Sequence, residues 1–70
     1  MAVVKVIEVI AESSKGWEDA AQEAVNEVSQ TVRGIQSVWV QDLKAVVENG
    51  KIVRYRANCK ISFVVETSSS

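Results

Sequence analysis

Residues 37–41 read SVWVQ, with Trp39 set between Ser37 and Gln41 and the two valines on alternate positions. In a strand this alternation sends Val38 and Val40 to one face and the indole to the other, beside a hydroxyl and an amide. An indole placed so can stack on a planar ligand, bury itself against another subunit, or simply lie outside. Further on, Arg54, Arg56, Asn58 and Lys60 recur at every second position and line one face of another strand. This basic stripe could hold the phosphates of a nucleotide-like ligand, or RNA. Pairing with carboxylates such as Glu8, Asp42 or Glu48 across subunits is the plainer reading. An RNA reader would carry more stacking aromatics and a stronger positive balance than a net charge of −1.

Catalytic chemistry has little to work with. The chain has no histidine and one cysteine, Cys59, so it has no imidazole base, no zinc-type spacing and no histidine to activate the thiol. No glycine-rich loop suited to phosphate is present, and the chain is read as non-enzymatic. Glu18, Asp19, Glu23 and Glu27 would mark the outer side of a helix. They could hold calcium, which takes about six to eight oxygens, only if several copies met at a symmetry axis. A solvated helix face is the simpler account of them.

The elements that must position these groups follow from pattern. Val3 to Ile10 is rich in β-branched residues and reads as a strand, with Lys5 and Glu8 on opposite faces. Ser13 or Ser14 can cap a helix whose first turn carries Glu18 and Asp19. Trp17, Ala20, Ala21, Ala24, Val25, Val28 and Val32 form one stripe at three-and-four spacing, which predicts a helix over 17–32 ended by Arg33 and Gly34. Trp17, on that stripe, is read as filler of the core or of an interface. Asn49-Gly50 then marks a two-residue hairpin turn. Centred there, the hairpin pairs Leu43 with Arg56, Gln41 with Asn58, Trp39 with Lys60 and Ser37 with Ser62. Val38, Val40, Cys59, Ile61 and Phe63 face the helix. The other face collects Ser37, Trp39, Gln41, Arg54, Arg56, Asn58 and Lys60, with Leu43 and Val47 exposed near Trp39 and Lys44 turned to the opposite side.

A strand, a returning helix and a second strand leave two parallel strands, and the last strand runs against both. The predicted fold is α+β: β-α-β-β, a three-stranded antiparallel sheet of order 1-3-2 packed on one helix. One domain over residues 1–66 and a disordered tail over 67–70 account for the chain. Seventy residues bury only roughly 60% of their unfolded surface, and small folds usually add disulfides, metal or oligomerisation. A single cysteine leaves oligomerisation. No apolar run reaches the length of a membrane span, and MAVVKVIEVI is too charged for a signal peptide. The expected setting is cytoplasmic, with neither nucleic acid nor membrane as partner.

The segment VIEVIAESSKGWEDAAQEAVNEVSQTVRGI, followed by a strand, NG and YRANCKISFVVE, resembles the dodecins from about Val4 to Glu66. That resemblance implies a homododecameric hollow shell which, in many members, binds flavin such as FMN or riboflavin. It also implies a tryptophan near the start of the second strand, stacking on the flavin ring, and a glutamine after the aromatic residue of the third. Those positions here are Ser37 and Arg56, so flavin binding is expected to be weak or lost. Trp39, with Gln41, Asn58 and Lys60, forms the alternative platform, displaced about 7 Å along the strand from Ser37. The family also includes a calcium-binding type without the stacking tryptophan, so calcium is the alternative ligand.

Overall fold

The structure, a computed structural model, describes residues 2–66; the expected tail at 67–70 lies outside the described residues. Four elements follow one another: β1 (Ala2–Ser13), α1 (Trp17–Val28), β2 (Ile35–Glu48) and β3 (Lys51–Glu66). The strands form one antiparallel sheet in the order β1-β3-β2, as the sequence predicts. β1 runs past Ile10 because β3 continues to pair with it, Ala11 to Ala57, Glu12 to Arg56 and Ser13 to Tyr55.

The helix differs from expectation at both ends. Its N-cap is Gly16, without a side-chain cap. Ser13, too far upstream to cap, accepts from the Lys15 N–H at 2.9 Å and donates to Asp19 Oδ2 at 2.6 Å, tying the loop to the first turn. The helix ends at Val28 rather than Val32, so Arg33 is outside its last turn. Ser29 Oγ donates to the Asn26 carbonyl at 2.8 Å and Thr31 Oγ1 to that of Val28 at 3.4 Å. Hydroxyls that compete for helix carbonyls weaken the next turn. Gly34 then takes φ 78, and a Cβ there would come within 3.2 Å of the Val64 carbonyl oxygen. Only glycine suits that junction.

Ala20, Ala24 and Val28 of α1 pack on Ala57, Cys59 and Ile61 of β3 to make the buried core, with Ile7, Val9 and Ala11 of β1 at its margin. Small residues on both sides let the helix lie close to the sheet. Twelve helical residues reach about 18 Å. Fourteen residues of β2 reach roughly 46 Å. Much of the hairpin therefore has no helix over it, and Leu43, Val47 and Ile52 remain exposed.

The Asn49-Gly50 turn forms as expected, with φ 52 and φ 75. The hairpin register does not run uniformly from it. One irregularity falls between Val46 and Val47 and a second between Val40 and Asp42, so residues 42–46 are shifted by one against β3. Asp42, not Gln41, is opposite Asn58; Leu43 is opposite Ala57 rather than Arg56; Lys44 is opposite Arg56. Leu43 thus moves to the helix side of the sheet and Lys44 to the open side. Since strand side chains alternate strictly, a one-residue slip exchanges faces. Beyond the second bulge the expected pairs Trp39–Lys60, Val38–Ile61 and Val40–Cys59 are present.

Trp17 anchors the shifted segment. Its Nε1 donates to the Lys44 carbonyl at 2.9 Å, and its ring meets Tyr55 edge-on with centroids 4.8 Å apart. A Trp17→Phe change keeps a ring and removes the donor. It is expected to lower stability by about 1 kcal/mol, the worth of one hydrogen bond, read as a lower urea midpoint at unchanged slope.

Candidate functional site

The sheet face turned away from α1 carries the chemistry. Strand pairing arranges it in four rows across β1, β3 and β2: Val6–Ser62–Ser37, Glu8–Lys60–Trp39, Ile10–Asn58–Asp42 and Glu12–Arg56–Lys44. Each row is held by backbone ladders on both sides of β3, so its side chains have a defined neighbourhood before any ligand arrives.

In the first row the Ser37 and Ser62 hydroxyls lie 2.5 Å apart and bond to each other. In the second, Trp39 is 63% exposed, and Lys60 Nζ stands 5.8 Å from its ring centroid, within cation–π range. Gln41, expected on this platform opposite Asn58, is instead the extra residue of a bulge and has no register partner on β3. In the fourth row Arg56 Nε donates to Glu12 Oε2, and Arg54 Nε lies 3.3 Å from Glu12 Oε1. Arg54 also approaches Glu48 at 3.9 Å. These side chains are exposed by more than a third, so the pairs add little stability. Their effect is to fix where the guanidinium groups point.

Two members of the basic stripe, Arg54 and Arg56, are thus paired within the chain, chiefly with Glu12, which sequence reading did not single out. The signal was available: Glu12 follows Glu8 by four residues and so shares its strand face, provided β1 is extended past Ile10. Between the third and fourth rows lies a cavity of about 80 Å³ lined by Ile10, Asp42, Lys44, Arg56 and Asn58. Asp42 and Lys44 reach it only because of the register shift.

Cys59 is fully buried on the opposite, helix-facing side, and burial raises its thiol pKa above the ordinary value. Among the described residues no three His, Cys, Asp or Glu side chains converge to hold a metal. No helix of the described residues is long and apolar enough to cross a membrane.

A single helix on a three-stranded antiparallel sheet, with an open face that carries aromatic, amide and charged groups, defines a small α+β protein. The family model described as Dodecin matches residues 3–66, and the chain belongs to the dodecin family. It is similar to the calcium dodecin of Mycobacterium tuberculosis, 35% identical over 63 residues that cover 90% of this chain and 89% of that protein. A crystal structure of the calcium dodecin from that organism, described as calcium-chelating with a novel calcium-binding site, matches with TM-score 0.81 at 32% identity over 97% of each chain. Dodecin from Streptomyces coelicolor matches with TM-score 0.90 at 28% identity over 96% of each chain. Shape and identity thus rank these two structures in opposite order.

A buried thiol with a raised pKa stabilises the fold while it remains protonated. That contribution is complete below the ordinary pKa of the unfolded thiol and is lost as pH rises from there toward the higher folded value. Unfolding free energy is therefore expected to fall above that pH more steeply in the native chain than in Cys59→Ala, measured by urea titration at a series of alkaline pH values.

Proposed function

We propose that the chain assembles as a homododecameric, non-catalytic shell that binds or stores a small ligand on its open sheet face, and that flavin binds it weakly or not at all. The observation that carries the flavin reading is the state of the two positions where the dodecin resemblance implies tryptophan and glutamine. Ser37 is occupied by its bond to Ser62, and Arg56 by Glu12. Neither offers a ring, and stacking supplies about 1 to 3 kcal/mol per aromatic by analogy with nucleobases. Arg56 has no acceptor for a flavin N–H. Trp39 keeps an exposed ring, yet Lys60 already stands against it.

Assembly is supported by what one copy leaves uncovered. Val4, Val6, Ile10 and Trp39 are each exposed by more than half on the open face. Patches of that kind and open strand edges favour association with further copies. A non-catalytic role fits a chain without histidine whose one thiol is sealed in the core. A reducing, cytoplasmic setting suits an unpaired cysteine. One domain over residues 1–66 is the unit repeated in the shell.

The similarity to calcium dodecin favours a second reading, an oligomer that holds calcium. The carboxylates of one chain do not cluster among the described residues, so calcium would draw on Glu18, Asp19, Glu23 or Glu27 from several copies. Titration calorimetry with calcium chloride decides between the readings, since the first expects no stoichiometric heat.

Light scattering at micromolar chain concentration is expected to give a particle of twelve chains, and a stable folded monomer would remove the shell. Added riboflavin or FMN should keep its fluorescence. Quenching at one ligand per chain with submicromolar affinity would overturn the flavin reading. A Ser37→Trp, Arg56→Gln double change is expected to restore measurable quenching.

A further inference from the structure

The cavity between the third and fourth rows has a chemistry unlike that of a stacking platform. Its volume is about 80 Å³, against roughly 300 Å³ or more for pockets that enclose a drug-sized ligand. Lys44 and Arg56 bring two cations that only donate hydrogen bonds, and Asp42 brings a carboxylate that only accepts them. Asn58 also lines the cavity, but its Oδ1 atom is buried and out of a ligand's reach. Ile10 closes one side with an apolar wall.

The groups are segregated. The acceptor, Asp42, belongs to the third row, and both cations, Arg56 and Lys44, to the fourth. Adjacent rows on one face are about 7 Å apart along the strands. A simple anion would meet the cations but lie against Asp42. A simple cation would satisfy Asp42 but lie against Lys44 and Arg56. Arg56 Nε is already used by Glu12, but a guanidinium carries other N–H donors.

We infer that this cavity binds a compact zwitterion, an ammonium and a carboxylate joined through one or two carbons, as in a small amino acid. The ammonium donates to Asp42, the carboxylate accepts from Lys44 and Arg56, and the intervening carbon rests on Ile10. The register shift is what builds the site: without it Gln41 and Leu43 would stand opposite Asn58 and Arg56, and neither carries a charge. The inference rests on reading the open face as the ligand face. It does not need the shell, because all five residues belong to one chain.

Equilibrium dialysis of the full chain with labelled glycine tests it, with acetate and methylammonium as competitors at matched ionic strength. Glycine should be retained at up to one per chain, with each competitor at least about tenfold weaker. Lys44→Met and Asp42→Asn should each lower retention by about tenfold or more, with circular dichroism and particle size unchanged. A folded particle that retains no glycine at about 10 mM, or one on which acetate competes as well as glycine, overturns the inference. A folded monomer that still retains glycine upholds the inference and removes the shell.

Discussion

The structure depends on β3 being paired along both of its sides. β1 and β2 each bond to it and not to one another. One of its faces supplies Ala57, Cys59 and Ile61, half of the buried hydrophobic core residues. The other supplies Arg56, Asn58, Lys60 and Ser62, the middle member of every row on the open face. The same strand thus sets the packing and the candidate site, and strict alternation keeps the two apart. A change in its register would alter both together.

Helix and hairpin lengths divide the molecule into a sealed region and an open one. Alanine, valine and cysteine let α1 sit close to β1 and β3, where burial keeps the thiol protonated and chemically quiet. Beyond the reach of α1 the hairpin continues with apolar groups in water, and the opposite sheet face has no covering layer within the chain. Sheets ordinarily hide such surface behind a second layer. Membership of the dodecin family and this exposed surface point the same way, toward further copies as the missing layer.

On the open face, polar groups hold one another. Glu12 orients two arginines, Ser37 and Ser62 satisfy each other, and Lys60 stands over Trp39. Exposed pairs of this sort add little to stability, but they decide which donors and acceptors remain for a ligand. What remains is concentrated at Asp42, Lys44, Asn58 and the free N–H groups of Arg56, the last being one of the two positions at which the dodecin resemblance implies flavin contacts.

Much of this was legible in the residues. Alternating β-branched runs, an alanine-valine stripe and Asn-Gly carry element type, strand order and the Trp39–Lys60 pairing, because each is a local periodicity or a local turn preference. The end of the helix was not, since Ser29 and Thr31 bond back to carbonyls that a periodic stripe does not register. The membership of the site was not either. Two bulges exchange Gln41 and Leu43 for Asp42 and Lys44 on the open face, and Glu12 enters because β3 carries β1 past Ile10. Local sequence determined which strands exist and roughly where they turn. Which side chains share a face was decided only when long strands were held together over their whole length, where a one-residue slip costs little in any single ladder bond yet reverses the direction of every side chain within it.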